Sequence, residues 1–259
     1  MLVLIHSSKT MKSSSTSKKN LSTPIFINEA RKLSGNLKTL SISDIGKSMK
    51  ISKTLAEKTK QIIANWTDEK ESQTMAGEAF LGDIYSGLQF NTFTKSNREY
   101  AYEHLRIVSG LYGLLRLNDG IYPYRLELEY KLAPRPYKTL YEFWGDKLAL
   151  SIKDKLILNL TSKEYEKAII PYVKDATIIS PIFKTYSQVK KDFVSVAVHS
   201  KIARGNMAAW VIKNKIEDPS DLDKYSNLGY IIDKKRSTPS SPLYITKNFE
   251  GIGLSIRKK

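Results

Sequence analysis

The sequence predicts a mixed α+β fold built as one domain over residues 1–259, and three observations predict it. Short apolar runs of strand length recur along the chain, residues 2–5 and 156–160 among them. Between them lie stretches whose apolar residues keep helical spacing, such as Ile27, Ala30 and Leu33, or Ala203, Met207, Trp210 and Val211. No internal repeat and no Pro- or Gly-rich linker divides the 259 residues.

Residues 2–5 read as a buried strand that ends on His6-Ser7-Ser8-Lys9-Thr10, either a polar turn or a strand end that delivers Ser, Lys and Thr to a cleft. Residues 11–20 are rich in Ser, Thr and Lys and read as a mobile loop. Residues 24–66 read as a helical sub-lobe. Pro24 suits a first helical position, Gly35 interrupts, and Ser41 with Asp44, then Ser52, start later helices. Lys47, Lys50, Lys53, Lys58 and Lys60 give this lobe a basic outer surface. Residues 79–81 read as a strand entering the Gly82-Asp83 break, with Asp83 and Tyr85 at its end.

The stretch from His104 to Arg125 holds the densest set of signals. Ser96 with Glu99 has capping-box spacing for a helix whose face carries Ala101, Leu105 and Val108. Gly110 and Gly113 bracket Leu111 and Tyr112, and Leu114, Leu115 and Leu117 give a second short helix its apolar side. Arg106, Arg116 and Arg125 surround the turn. Two readings stand: an αα-corner in a core, or a helix-hairpin-helix-like element whose free backbone N–H groups meet a phosphate.

Residues 124–132 alternate, with Leu126, Leu128 and Tyr130 on one face and Arg125, Glu127 and Glu129 on the other, as in a half-exposed strand. Residues 139–153 read as a helix, 156–160 as a strand, and Ser162 as the cap of a helix through Glu164 and Tyr165. Strands are expected over 176–183 and 193–198, then a helix from HSKIARG, then closing strands at 229–232 and 243–245. Lys201 and Arg204 fall at the start of that helix, where positive charge opposes the dipole. An anion meeting both cations and the helix start would compensate; solvent exposure is the alternative.

Composition narrows the functions. The 42 Lys and Arg against 26 Asp and Glu leave a net charge of +16, which favours a polyanionic partner unless lysine is merely abundant throughout. The absence of cysteine excludes disulfides and thiolate chemistry. His6, His104 and His199 form no local metal motif, and no metal or cofactor is expected. MLVLIH is too short for a signal-peptide core and no run approaches a membrane span, so a cytoplasmic location is expected.

Seven stretches, taken together and in order, resemble the YaaA peroxide-stress protein family: MLVLIHSSKT at the start, GDIYSGLQ (82–89), HLRIVSGLYGLLR (104–116), PYRLELEYKL (123–132), LYEFWGDKL (140–148), LNLTSKEY (158–165) and SKIARG (200–205). The resemblance implies a helix-hairpin-helix-like element, a basic cleft that binds DNA, and a role in limiting iron-linked damage under hydrogen peroxide. Ser7-Ser8-Lys9-Thr10 stands where the family start reads more like SPAKT, Arg116-Leu117-Asn118-Asp119 lacks the proline of RPLD, and Lys201-Ile202-Ala203-Arg204 has one charge fewer than KKAR.

Two functions follow as expectations. The first is DNA binding by backbone and shape, to duplex or distorted, bubble-like DNA without sequence specificity. Arg106, Gly110, Tyr112, Gly113, Arg116, Tyr124, Arg125, Ser162, Lys201 and Arg204 would be the DNA or anion contacts, with Tyr112 free to stack on an unpaired base. The second is an enzyme acting on a nucleobase or nucleotide, or another small phosphorylated ligand. There Lys9 would be a Schiff-base nucleophile and Asp83 or Glu164 a general base.

Overall fold

The strand Leu2–His6 is apolar up to Ile5 because it lies in the middle of a sheet, buried on both faces. In the computed structural model, which describes residues 1–12 and 21–253, it pairs in parallel with Leu105–Ser109 on one side and with Leu156–Asn159 on the other. Thr177–Ile179 continues the parallel set beyond Leu156–Asn159. At the opposite edge Gly113–Leu115 returns antiparallel to Leu105–Ser109. A second sheet runs Asp192–Val194, Ile182–Ser187, Leu243–Thr246, Ile231–Ile232, its inner pair parallel and its outer pairs antiparallel. Mixed sheets and helices give the α+β architecture that the apolar patterning predicts.

The helical sub-lobe consists of Ile27–Thr39, Ile42–Met49 and Lys53–Ala64. Ser41 and Asp44 form the reciprocal capping box that their spacing predicts, and the Ser52 side chain caps the third helix. Gly35 does not interrupt; it sits within the first helix, which starts at Ile27 and so leaves Pro24 outside. The later helix Lys95–His104 is capped by Thr94 with Asn97, two residues ahead of the Ser96–Glu99 pair. Of the loop expected over 11–20, Thr10–Met11 pairs with Phe80–Leu81, and residues 13–20 lie outside the described residues.

The stretch from His104 to Arg125 is a β-hairpin, not a helix-hairpin-helix. The helix ends at His104, and Leu105, Ile107 and Val108 pair with Val3, Ile5 and His6. A run of β-branched residues beside a central apolar strand gains more from the ladder than from continuing the helix. Gly113, at φ 69°, makes the tight return, and a Cβ there would strike Trp144 and Leu148. Residues 124–132 also depart from expectation: they form no strand and instead cross over the hairpin turn. Gly110 permits this, because a Cβ at that position would lie 2.3 Å from the Leu126 carbonyl oxygen. The helix expected over 139–153 splits into Leu140–Trp144 and Lys147–Leu150 around Gly145.

Candidate active site

The parallel strands end on one edge, at His6, Ser109, Asn159 and Ile179. Ligand sites in such sheets form beyond these carboxyl ends. A cleft of about 510 Å³ lies there, walled by the polar turn after Leu2–His6, the start of Asp83–Leu88, the crossing segment with Glu127, the Ser162–Tyr165 turn, and the helix Ala197–Asn214. The strand end of residues 2–6 therefore serves the cleft rather than a plain turn.

Close backbone contact fixes the helical wall. A Cβ on Gly205 would lie 1.7 Å from the Ile84 carbonyl oxygen, and one on Gly87 would lie 2.0 Å from that of Ile202. The two helices therefore cross at glycine-limited distance, which brings Asp83 and Lys201 to the same opening. On the opposite wall, the Glu164 carboxylate accepts from the Glu129 backbone N–H at 3.2 Å. Tyr141 donates to the Glu164 carbonyl at 3.0 Å. Glu164 thus ties its short helix to the crossing segment.

Glu127 is the most perturbed acid of the cleft. It is 7% exposed. Burial pushes its carboxyl up to about 7; the nearby Glu164 adds to the rise, while a hydrogen bond from Tyr165 and the charges of Lys9 and Arg125 oppose it. Burial also raises Glu164 above the usual carboxylate range. His6 stacks on Tyr165 at 4.9 Å between ring centroids. Burial, then the charges of Arg204 and Lys201, hold it down to about 3, so the imidazole is neutral at physiological pH. Its Nδ1 has no hydrogen-bond partner, and Arg125 Nε and the Tyr130 hydroxyl are also buried without one.

The residues nominated from sequence divide by position. Lys9, Asp83, Glu164, Ser162 and Lys201 all line the cleft. Tyr124 and Arg125 adjoin it, the Arg125 guanidinium reaching the Lys9 carbonyl at 3.5 Å, and Arg204 lies half-buried beneath it, near His6 and Glu166. Arg106 and Arg116 lie elsewhere. The antiparallel return carries the chain back along the sheet, so both arginines sit at its other end, near Asp119 and Asp154. The hairpin offers no phosphate cradle. Gly110 accepts from the Trp144 indole at 3.1 Å, Tyr112 N–H donates to Ser109 Oγ at 2.9 Å, and Gly113 is packed on Trp144. Tyr112 is fully buried and its hydroxyl accepts from Trp66 at 2.9 Å, so it presents no ring to a base.

The cleft is not simply basic. Lys9 and Lys201 face Asp83, Glu127 and Glu164, and the excess of lysine lies largely on outer surfaces such as Lys47, Lys50, Lys53 and Lys58. Among the described residues no three His, Asp or Glu side chains are grouped to hold a metal ion, and no helix is long and apolar enough to cross a membrane. Sequence reasoning assigned no chemistry to Glu127, because alternation placed it on the solvent side of a strand. Its one signal was its place within PYRLELEYKL.

Residues 1–236 match the family described as peroxide stress protein YaaA. The chain is 39% identical over 259 residues to a UPF0246 protein of Salinispora tropica, covering 100% of this chain and 98% of that relative. It is 38% identical over 253 residues to one of Ruegeria sp., covering 95% and 99%. With one of Clostridium beijerinckii it shares 36% identity over 254 residues, covering 94% and 97%.

Proposed function

This chain belongs to the peroxide stress protein YaaA family, and from that premise we propose that it acts on DNA, with an unpaired nucleobase or nucleotide entering the cleft. The observation that carries the reading is the cleft itself. A space of about 510 Å³ at the carboxyl edge of a parallel sheet, with Lys9 and Lys201 beside the buried Glu127, the half-buried Asp83 and Glu164, and hydroxyls, suits one small polar ligand bearing a phosphate. It is too confined for a duplex. An extruded or already unpaired nucleotide can reach such a site, and the cost of extrusion is least where the DNA is distorted or mismatched.

The +16 net charge supplies affinity for the phosphate backbone. Limiting iron-dependent oxidative damage would follow from this engagement of nucleic acid in a cytoplasmic protein. The test is binding of purified protein to duplex, bubble and single-stranded DNA across a salt series, beside a Lys9→Ala/Lys201→Ala variant. Affinity falling with salt, with a preference for bubble DNA that the double variant loses, supports the reading. Salt-insensitive binding, or an unchanged bubble preference in the variant, overturns it.

A further inference from the structure

Behind the cleft wall, four buried hydroxyls lie in two hydrogen-bonded pairs, Ser109 with Tyr124 and Ser7 with Tyr165, the second of them beside Glu127. Ser109 Oγ accepts from the Tyr112 N–H at 2.9 Å and meets the Tyr124 hydroxyl at 2.6 Å. The Ser7 Oγ lies 3.1 Å from the Tyr165 hydroxyl. Tyr165 lines the cleft with Glu127 and lowers the affinity of its carboxyl for a proton. Ser7, Ser109, Tyr124 and Tyr165 are all buried.

Each hydroxyl carries one hydrogen, so an ionised Glu127 draws that of Tyr165 toward itself and leaves Ser7 as the donor to Tyr165. The Ser109–Tyr124 pair is anchored on the backbone of the hairpin turn, a fully buried part of the core. A carboxyl group held in this way, at the surface of a cleft and against a neighbouring carboxylate, is built to exchange a proton.

We propose that Glu127 is the proton-transferring residue of the cleft, and that Tyr165, itself held by Ser7, is a positioning residue behind its carboxyl group. The inference rests on the reading that the cleft is where the ligand sits, and deepens it from binding to proton-transfer chemistry. As a base, ionised Glu127 takes the proton of a ligand N–H or O–H. The ligand keeps the bonding electron pair, Glu127 becomes the neutral acid, and the Lys9 ammonium stabilises the new negative charge. As an acid, Glu127 returns that proton to a ligand atom. The raised affinity of its carboxyl for a proton keeps both forms populated near neutral pH.

Every charged group facing Glu127 bears on this behaviour. Glu164, from the helix Lys163–Glu166, raises its affinity for a proton; Lys9, after the central strand, and Arg125, on its own segment, lower it. Asp83 and Lys201 close the far side of the cleft, and His6, stacked on Tyr165, is neutral.

Carbon-13 NMR of protein labelled at the glutamate carboxyls tests the arrangement, with Glu127→Gln identifying the resonance. The expected midpoint in the wild type is about 7. Tyr165→Phe removes a donor to the ionised form and moves that midpoint up by about one unit. Ser7→Ala moves it in the same direction by less, and decides the matter if Tyr165→Phe does not fold. In peroxide-challenged cells, Glu127→Gln at wild-type protein levels lowers survival to that of cells lacking the protein. A midpoint in the ordinary carboxylate range, a midpoint unmoved by either hydroxyl variant, or full protection by Glu127→Gln overturns the proposal. Because the titration uses no DNA, failure of the DNA-binding experiment with the midpoint intact leaves Glu127 as the proton carrier for a different ligand.

Discussion

Two residues of the cleft pull stability in opposite directions with pH. Glu127 has its carboxyl raised from 4.5 to about 7 by burial, so the folded state favours the protonated acid. Its contribution is fully present below 4.5 and is lost as pH rises through 7. His6 is lowered from 6.5 to about 3, so its contribution is present above 6.5 and is lost as pH falls toward 3. Glu127→Gln removes only the first of these. Urea denaturation at a series of pH values should show the variant gaining on the wild type from pH 4.5 upward, reaching about 1–3 kcal/mol above pH 7. A constant difference across that range would mean that Glu127 is solvated. Such destabilisation at a buried acid is what a group kept for chemistry costs the fold.

At the scale of elements, the hairpin after Leu105–Ser109 joins the helical sub-lobe to the cleft. Tyr112 sits at its turn, and its hydroxyl accepts from the Trp66 indole at 2.9 Å and from the Tyr122 N–H at 3.0 Å. Trp66 closes the sub-lobe, and Tyr122 leads into the segment that carries Glu127. Tyr112→Phe leaves both donors without an acceptor in a buried site and should cost about 1–3 kcal/mol, read as a lower thermal midpoint. DNA affinity measured well below that midpoint should be unchanged. A loss of affinity at full stability would restore Tyr112 as a stacking residue. The lysines of the sub-lobe also differ among themselves: Lys60 donates to the Lys38 and Leu40 carbonyls at 2.8 and 2.7 Å, whereas Lys47, Lys50, Lys53 and Lys58 are exposed.

For the whole molecule, the separation between surface charge and cleft charge sets the expected behaviour on DNA. Exposed lysines act on the phosphate backbone without regard to base pairing, and each contact contributes about 0.9 to the slope of log affinity against log salt. Neutralising Lys47, Lys50, Lys53 and Lys58 together should lower affinity for duplex and bubble DNA alike. Lys9→Ala/Lys201→Ala should reduce the preference for the bubble more than the slope. If the lobe variant instead abolishes the bubble preference, recognition of distorted DNA lies on the helical lobe and the cleft serves another ligand.

Local chemistry in the sequence was enough for much of the fold. The apolar run of residues 2–5, the Ser41–Asp44 box, the Ser52 cap and the apolar face of Ala203, Met207 and Val211 each act within a few residues, and each forms the element its pattern predicts. The nominated Lys9, Asp83, Ser162 and Glu164 were likewise visible as polar residues at strand ends and helix starts, and they meet Lys201 at one cleft; Lys201 and Arg204, expected at a helix start, are instead the fifth and eighth residues of Ala197–Asn214, because the helix begins ahead of His199. What tertiary structure decided depends on partners distant in the chain. Leu105–Ser109 is a strand because Leu2–His6, about a hundred residues away, offers it a ladder. Arg106 and Arg116 leave the site because an antiparallel return carries them to the other end of the sheet. Glu127 becomes the buried acid of the cleft because Gly110 lets its segment cross a turn that a side chain would block. Alternation along a chain reports which residues share a face, whereas burial of that face depends on what the rest of the molecule places against it.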